Sequence, residues 1–432
     1  MATSGHPCAT SPKSRNKGVR SGRWRQKCLL CLNAFYLPME NRIPVTPQLR
    51  IPGPTPVPPR VQRAMDAPMI NHRGPEFKAL LKELEDGLRW AFQTSHDVLV
   101  FPASGTGGLE SVVANLVSPG ERILAVSIGA FGDRFADCAA AFGAHVVRHA
   151  VPWGEAADPD DVDQILADEP EIRTVLITHN ETSTGVTNPL RELARVVKGR
   201  GRLLAIDGVS SIGSIDLPVD AWDVDVAVTA SQKGWMSPPG VTMLSVGPAA
   251  WERRATAQAP RFYFDWERAH KMQQNGATFT TPALSVLFGL REALRMMREE
   301  TLPAIFRRHL QIAASFRAAV EALDLRLVAA PAAVSPTVTA VYFPEELQGD
   351  LAKAVFATWR ERYGLIVAGG QGQLTGRIFR LGHMGAVSPD DVLAAVDALQ
   401  RGLADHGYGV QPGIAVDAAQ RALAEPETAL AS

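Results

Sequence analysis

The segment Val224-Asp-Val-Ala-Val-Thr-Ala-Ser-Gln-Lys-Gly-Trp-Met-Ser-Pro-Pro-Gly240 joins an apolar stretch to a lysine and then to a fixed turn. Its first part, Val224–Val228, is rich in β-branched residues, which favour a buried strand. Lys233 follows that strand, and two prolines and a glycine end the segment in a turn. A lysine in this position is either half buried or in contact with a ligand. Because desolvation lowers the pKa of an amine, the pattern indicates a nucleophile for carbonyl groups.

Strands and helices alternate along the chain before this segment. Apolar stretches predict strands at Val98–Phe101, Arg122–Ser127, Val146–Val147, Thr174–Thr178 and Leu203–Ile206. Apolar residues at helical spacing predict helices at Phe77–Phe92, Leu109–Val117 and Asp133–Phe142. This alternation is typical of the α/β fold class, in which helices cover both faces of a mostly parallel sheet.

The pattern changes after about residue 285, where helices become longer and strands fewer. Helices are predicted at Leu287–Glu299, Leu302–Leu323, Asp350–Arg362 and Asp390–Leu403. Strands are predicted at Leu325–Val328, Thr337–Tyr342, Gly364–Val367 and Ile378–Leu381. Few strands with segregated helices predict a smaller α+β domain at the C-terminal end.

The chain is longer than one hydrophobic core usually supports, so we expect more than one domain. Proline is concentrated at Ile51–Pro59, which indicates extended backbone at the start of the fold. The predicted divisions are a basic arm at 1–40, an extended segment at 41–75, a large domain at 76–295, a small domain at 296–408 and an alanine-rich tail at 409–432. The tail is expected to be a peripheral helix or a frayed end.

Composition excludes several classes of protein. The formal net charge is -1, so bulk electrostatic binding to nucleic acid or membrane is not expected. No apolar run reaches the roughly 18 to 20 residues that a membrane-spanning helix needs. Four cysteines in 432 residues do not make a disulfide scaffold, which favours a reducing, cytoplasmic location.

The first 38 residues differ from the rest, because they contain no Asp or Glu but seven Lys or Arg. A targeting segment has such a composition, but the apolar stretch 28–32 is too short for a signal-peptide core. Cys28 and Cys31 have zinc-like spacing, yet no second ligand pair follows. We expect either a disordered arm or translation begun upstream of a start at Met39.

Ligands in an open α/β sheet gather beyond the carboxyl ends of the strands. Ser104, Gly105 and Thr106 lie in a glycine-rich stretch directly after one predicted strand and before a helix, an arrangement that suits a phosphate. A tight turn is the alternative. Phe131 lies between glycines after the next strand and could stack on a flat ring, with core packing as the alternative.

Two further strands end in polar residues. The run His179-Asn-Glu-Thr-Ser-Thr-Gly185 is either functional or a solvated turn with a helix cap. Asp207 ends an apolar strand, where a carboxylate is costly unless it meets a cation; a helix N-cap is the alternative. An aldehyde-binding lysine, a carboxylate for a pyridinium nitrogen, a phosphate-binding helix start and a stacking aromatic are together the needs of pyridoxal phosphate.

Four motifs resemble those of the alanine–glyoxylate and serine–glyoxylate (serine–pyruvate) aminotransferases, a group of class V, fold type I pyridoxal-phosphate enzymes. They are Ile51-Pro-Gly-Pro-Thr55, Asn71-His-Arg-Gly-Pro-Glu-Phe77, Ser231-Gln-Lys233 with Pro238-Pro-Gly240, and Phe379-Arg-Leu-Gly-His-Met-Gly385. The resemblance covers roughly residues 50–404. It implies a mostly parallel seven-stranded sheet domain with a smaller α+β C-terminal domain.

The resemblance also implies roles for individual residues. Lys233 would be the Schiff-base lysine and Asp207 the partner of the pyridine nitrogen, while Arg380 would bind the substrate carboxylate. Thr281 would serve the phosphate site of a neighbouring subunit, which implies an obligate homodimer. The remaining cofactor contacts would be Ser104, Gly105, Thr106 and Gln232 at the phosphate, Phe131 and Val209 on the ring faces, and Thr182.

The sequence departs from the family pattern at several positions. Phe131 stands where some relatives have a tryptophan, and Thr278 where some have a tyrosine that reaches the phosphate of the partner subunit. Trp235 is bulky and is expected to narrow the site. The histidines of the matching motifs, His72, His179 and His383, are interpreted as structural.

The expected reaction is a ping-pong transamination, in which Lys233 moves a proton and glyoxylate or pyruvate accepts the amino group. One evident carboxylate clamp favours small donors such as alanine or serine. A cysteine desulfurase would need a cysteine near residues 340–380, whereas Cys138 is the only cysteine after residue 31. Two more functions are weighed against transamination: a lyase on the same scaffold and a non-catalytic binding protein that keeps the fold.

Overall fold

A computed structural model describes residues 47–409 and 411–425. The predictions for the basic arm at 1–40 therefore lie outside the described residues. The strands are β1 Gln48–Leu49, β2 Asp97–Phe101, β3 Arg122–Ser127, β4 His145–Ala150, β5 Thr174–Thr178, β6 Asn180–Glu181, β7 Val186–Thr187, β8 Leu203–Asp207, β9 Val226–Ala230, β10 Thr242–Val246, β11 Val338–Tyr342, β12 Leu365–Ile366, β13 Ala368–Gly369 and β14 Ile378–Gly382.

Helices occupy most of the chain between these strands. They are α1 Pro59–Met65, α2 Pro75–Phe92, α3 Gly105–Leu116, α4 Ala130–Ala141, α5 Pro159–Asp168, α6 Leu190–Gly199, α7 Pro248–Thr256, α8 Trp266–Gln274, α9 Leu284–Glu300, α10 Leu302–Ala322, α11 Asp350–Tyr363, α12 Pro389–Asp405 and α13 Ile414–Ala424. No helix within the described ranges is long and apolar enough to cross a membrane.

A seven-stranded sheet in the order β2-β10-β9-β8-β5-β3-β4 forms the centre of the fold. Every pairing is parallel except those of β10, which runs antiparallel to both neighbours. The prediction of a mostly parallel sheet is confirmed. The pattern analysis did not locate β10. The connection 231–241 that precedes it is shorter than the dozen or so residues of a parallel crossover, so the chain must return antiparallel.

Both faces of the sheet are covered, because alternate residues of each strand belong to different apolar clusters. In β2, Val98 and Val100 pack in one cluster with α2, α6 and α9. Leu99 and Phe101 pack in another with α3, α4 and α8. Such two-sided burial explains why the strands are continuously apolar rather than alternating.

The C-terminal part is built on the three-stranded sheet β11-β14-β13, which packs against α10, α11 and α12. Two strand predictions here need correction. Residues 325–328 form no strand, and only Leu327 makes an isolated bridge, to Val341. The stretch predicted at 364–367 is reduced to β12, which pairs in parallel with β1 rather than joining the sheet.

The predicted extended segment and the predicted tail each contain a helix. The extended segment 41–75 contains α1, which Pro59 begins at the first helical position, where a proline is tolerated. The division between large and small domains stays a prediction. The tail contains a helix: in α13 the residues Ala415, Ala418, Ala419 and Ala422 form one buried face.

Candidate active site

Lys233 lies in the connection between β9 and β10, at the carboxyl end of β9. Its Nζ donates a hydrogen bond of 2.5 Å to the Pro52 carbonyl. The proline-rich segment approaches so closely that a Cβ on Gly53 would lie 2.7 Å from Nζ. Thr55 holds the backbone beside the lysine, because its hydroxyl donates to the Lys233 carbonyl at 3.0 Å.

Burial acts in opposite directions on the pKa values of the two ionisable groups at the centre of the site. Desolvation lowers the pKa of Lys233 to about 8, although the Asp207 carboxylate opposes this change. Desolvation raises the pKa of Asp207 to about 7, while a hydrogen bond from the Val209 N–H and the charge of Lys233 favour its ionised form. Lys233 is therefore a more reactive amine than an exposed lysine near neutral pH.

A cavity of about 250 Å³ brings most of the predicted cofactor residues together. The predicted residues in its wall are Ser104, Gly105, Thr106, Phe131, Thr182, Asp207, Val209, Gln232 and Lys233. Two predicted residues, Arg380 and Thr281, do not line it.

The glycine-rich stretch is the beginning of a helix rather than a separate turn. Helix α3 begins at Gly105, four residues earlier than predicted, and the Ser104 side chain makes no capping hydrogen bond. The first N–H groups of a helix lack intrahelical partners and attract anions. A Cβ on Gly105 would lie 2.9 Å from Val209, so only glycine permits this approach. Gln232 adds a buried amide whose Oε1 has no hydrogen-bond partner among the described residues.

Arg380 reaches the site through Thr182. Its Nη1 donates to the Thr182 carbonyl at 2.9 Å, and its Nε donates to the Gly369 carbonyl at 2.8 Å. Burial lowers the pKa of Arg380 to about 10, and the Glu181 carboxylate opposes the shift. Two backbone carbonyls thus hold the guanidinium beside the cavity, and no carboxylate of the described residues forms a salt bridge with it.

Thr281 is exposed, and it lies in the connection between α8 and α9. Thr278, three residues earlier, is buried, and its hydroxyl has no hydrogen-bond partner within the described chain. Neither residue lines the cavity of its own chain. The predicted contact of Thr281 with the phosphate site of a neighbouring subunit stays a prediction.

Trp235 does not narrow the site, and that expectation was wrong. Its side chain is fully buried, donates to the Thr229 hydroxyl at 2.7 Å and packs on Phe92 with ring centroids 6.0 Å apart. Because a large apolar side chain gains more from core burial than from lining a polar cavity, it turns away from Lys233.

The histidines of the motifs also lie away from the cavity. His179 is buried and packs edge-on against Trp222, and burial lowers its pKa to about 3. His383 is buried, with Nε2 2.9 Å from the Thr339 hydroxyl. Neither these residues nor His72 line the cavity.

The polar run 179–185 is buried, so its interpretation as a solvated turn was wrong. It carries the hairpin β6–β7, and its side chains from His179 to Thr184 are all buried. Asn180 donates to the hydroxyls of Ser210 at 2.8 Å and Thr337 at 3.0 Å. Buried polar groups are tolerated when they find partners, and those of Asn180 come from distant parts of the chain.

Three polar residues of the cavity wall were not predicted from the sequence, Arg134, Asn180 and Ser210. The guanidinium of Arg134 lies 4.8 Å from the ring centroid of Phe131. A signal existed for this residue, because it lies three positions after Phe131 and so on the same face of α4. The polar run contained Asn180, but nothing local distinguished it from its neighbours.

The described residues offer no competing metal or thiol chemistry at this site. No group of three or more His, Cys, Asp or Glu residues between 47 and 425, residue 410 apart, could hold a metal ion. Cys138 lies in α4 outside the cavity wall, and burial raises the pKa of its thiol to about 12. A thiol in that state is a poor nucleophile.

This chain belongs to the class-V aminotransferase family, whose model matches residues 52–387. It is a pyridoxal-phosphate-dependent aminotransferase. The free helix start at Gly105, the buried Gln232 amide and the Lys233–Asp207 pair fit that cofactor.

Proteins with several different names are similar to this chain in sequence. The chain is 41% identical to the small subunit of a soluble hydrogenase from Synechococcus sp. (strain PCC 6716), covering 87% of this chain and 98% of that one. It is 38% identical to L-aspartate–glyoxylate aminotransferase of Paracoccus denitrificans (86% and 94%) and to serine–glyoxylate aminotransferase of Methylorubrum extorquens (89% and 98%). The solved pyridoxamine–pyruvate aminotransferase of Mesorhizobium loti superposes with a TM-score of 0.84 at 29% identity (89% and 99%).

Proposed function

We propose that this protein transfers the amino group of a small 2-amino acid, of the alanine or serine type, to glyoxylate or pyruvate. The observation that carries the proposal is the Lys233 amine in one cavity with Asp207 and the free start of α3. Bound pyridoxal phosphate supplies an aldehyde that takes up an amino group and a ring that withdraws electrons from the substrate α-carbon.

The residues of this chain would divide the work as follows. Lys233 would hold the cofactor through Nζ. Once released, its amine would take the proton from the α-carbon of the amino donor and, in the second half-reaction, deliver a proton to the α-carbon of the acceptor, for which its lowered pKa suits it. Asp207 keeps the ring nitrogen protonated. Arg380 binds the substrate carboxylate. The other proposed contacts are Ser104, Gly105, Thr106 and Gln232 to the phosphate, Phe131 and Val209 against the ring, and Thr182 beside it.

The choice of substrates rests on the site and on the relatives together. Nε and Nη1 of Arg380 donate to two backbone carbonyls, which leaves Nη2 to bind one substrate carboxylate. Two of the relatives are named as glyoxylate aminotransferases, and the solved structure is of a pyruvate aminotransferase. The aspartate named for the Paracoccus relative makes a dicarboxylate the donor to test beside alanine and serine.

We further propose a homodimer in which Thr281 serves the phosphate site of the partner, and a cytoplasmic location. Exposure of Thr281 outside its own cavity supports the first, and the low cysteine content supports the second. Retention of both Lys233 and Asp207 favours catalysis.

Two measurements test the proposal. Borohydride reduction followed by peptide mapping should place a pyridoxyl group on Lys233, and a label on another lysine contradicts the assignment. Serine and aspartate with either glyoxylate or pyruvate, alanine with glyoxylate, and glycine with pyruvate should reveal the donor through formation of its 2-oxo acid. Cofactor binding without transfer from any of these donors would contradict the proposed substrates.

A further inference from the structure

Glu181 is a fully buried carboxylate that accepts four hydrogen bonds. Its Oε2 accepts from the backbone N–H groups of Phe131 at 2.9 Å and Gly132 at 3.1 Å. Its Oε1 accepts from the N–H of Ser183 at 2.9 Å and from the Ser183 hydroxyl at 2.7 Å. An ionised carboxylate is an acceptor only, so these four donors match it.

The carboxylate caps a helix that belongs to another part of the chain. Helix α4 begins at Ala130, and its N-cap residue Gly129 has no side chain to offer. Glu181 takes the N–H groups of the second and third helical residues, while the Ser183 hydroxyl accepts from the Ala130 N–H at 3.0 Å. A Cβ on Gly129 would lie 2.5 Å from Glu181 Cγ. The first turn of α4 is therefore satisfied from the β6–β7 hairpin.

Residues 181–183 connect two parts of the site. Phe131, whose N–H Glu181 holds, lines the cavity. Thr182, between the two capping residues, offers its carbonyl to Arg380 at 2.9 Å. One short segment thus positions both the aromatic wall of the cofactor cavity and the guanidinium beside it.

We propose that Glu181 is a positioning residue of the transamination site, which fixes Phe131 by capping α4 and holds Arg380 through the backbone of Thr182. The inference rests on the proposed function of this cavity. Glu181 does not itself line the cavity, so it positions the site through the backbone groups that it holds. Its charge acts in addition on the pKa values of Asp207, Lys233 and Arg380.

The Glu181→Gln variant tests the role of the carboxylate. The glutamine side chain replaces one carboxylate oxygen with an NH2 group, which is a donor. Because each oxygen of Glu181 accepts from two donors, two of the four hydrogen bonds are lost. We expect the dissociation constant of pyridoxal phosphate, measured by visible absorbance, to rise about tenfold, equivalent to about 1.4 kcal/mol. The KM of the amino donor should rise together with it, because Arg380 shares the segment.

Asp133→Asn is the matched control. Asp133 lies in the same first turn and carries the same charge, but its carboxylate accepts from the Ser127 hydroxyl and holds neither capped N–H. Its cofactor affinity should equal that of the wild type. An equal loss in both variants would show that the loss does not depend on the capped N–H groups, and would overturn the inference.

A double-variant comparison separates positioning from general destabilisation. In a Phe131→Ala background, Glu181→Gln should weaken cofactor binding much less than it does in the wild type, because the ring that it positions is gone. An unchanged effect overturns the inference. If Glu181→Gln is insoluble, Ser183→Ala provides the test. This change removes the hydroxyl that donates to Glu181 and accepts from the Ala130 N–H, so the dissociation constant of pyridoxal phosphate should rise about threefold. An unchanged dissociation constant would overturn the inference.

The wild-type protein distinguishes this inference from the proposed function. A wild-type chain that binds no pyridoxal phosphate contradicts the proposed function itself. A wild-type chain that binds the cofactor and turns over, beside a Glu181→Gln chain with the same affinity and KM, overturns the positioning role alone.

Discussion

Single residues in this site owe their chemistry to where burial places them. Lys233 and Asp207 share a cavity in which desolvation disfavours both charges, while each charge favours the other. The amine is thereby brought closer to neutrality, and the carboxylate stays available to a protonated ring nitrogen. Neither state would follow from the ordinary pKa of the isolated side chain.

The lowered pKa of Lys233 predicts how cofactor capture depends on pH. Only the neutral amine attacks an aldehyde, so the rate should rise with pH and level off above about 8, instead of above 10.5 as for an exposed lysine. The measurement is the rate at which a visible band forms when apoprotein meets pyridoxal phosphate. Asp207→Asn removes a charge that raises this pKa, so its midpoint should be lower. A wild-type midpoint near that of a free lysine side chain would disprove the effect.

Arg380 predicts a large kinetic effect. Truncation of a buried charge-assisted contact costs about 2 to 5 kcal/mol. Arg380→Ala should therefore lower kcat/KM roughly 30- to 5,000-fold with the cofactor still bound. Arg380→Lys should recover only part, because an ammonium lacks the two-pronged geometry. The exposed Arg377 provides the control, and its alanine variant should match the wild type. Near-normal kcat/KM in Arg380→Ala would refute the role.

At the scale of elements, the site depends on how closely helix α3 packs on the sheet. Gly108 faces β9 and β10, where an added Cβ would overlap Thr242 Oγ1 and lie 2.6 Å from Val228 Cγ1. The Thr242 hydroxyl is already held by the Thr229 carbonyl at 2.8 Å. The absence of a side chain at Gly108 therefore sets the position of the helix start that we propose as the binding site of the cofactor phosphate.

This packing predicts that Gly108→Ala destabilises the protein. Overpacking of a tight contact costs about 1 to 3 kcal/mol, and the free energy of unfolding in urea should fall accordingly. Gly199→Ala is the matched control, since Gly199 ends α6 with nothing within 4 Å of an added Cβ. It should be neutral or stabilising by about 0.5 to 1 kcal/mol. An equal free energy of unfolding for the two variants would contradict the prediction, because it would show that α3 shifts to accommodate the added methyl group.

At the scale of the whole molecule, the site is assembled from segments far apart in the chain. The Pro52 carbonyl meets Lys233 across 181 positions, and the Thr182 carbonyl meets Arg380 across 198. The β8–β9 side of the sheet provides Asp207 and Lys233, while the C-terminal sheet provides the arginine. The proline-rich segment is thus part of the site, since the Pro52 carbonyl and the Thr55 hydroxyl both contact Lys233.

A chain that starts at Met39 should accordingly fold and turn over like the full one. The removed residues differ in composition from the rest, and the family match begins at residue 52. The measurements are soluble yield, thermal unfolding and kcat/KM. A chain that starts after Val57 is the comparison, and it should lose activity because it lacks Pro52 and Thr55, which hold Lys233. Loss of activity in the Met39 chain would contradict the prediction.

Local pattern determined a large part of this protein. The alternation of apolar stretches placed six of the seven sheet strands, and Lys233 and Asp207 were found because each directly follows an apolar strand. The motifs placed Arg380 in a strand that the structure contains as β14. These features are recorded in short runs of residues, since period and turn chemistry act between near neighbours.

The tertiary structure alone decided the rest. It buried the polar run 179–185, turned Trp235 into the core, reversed the direction of β10 and brought Arg134 to the cavity wall. It also joined Glu181 to the start of α4 and Thr182 to Arg380. Each of these outcomes depends on which distant group meets a side chain. Local periodicity does not indicate which distant groups will meet. The free energy of burying a polar residue depends on its hydrogen-bond partners, and only the folded chain brings those partners near.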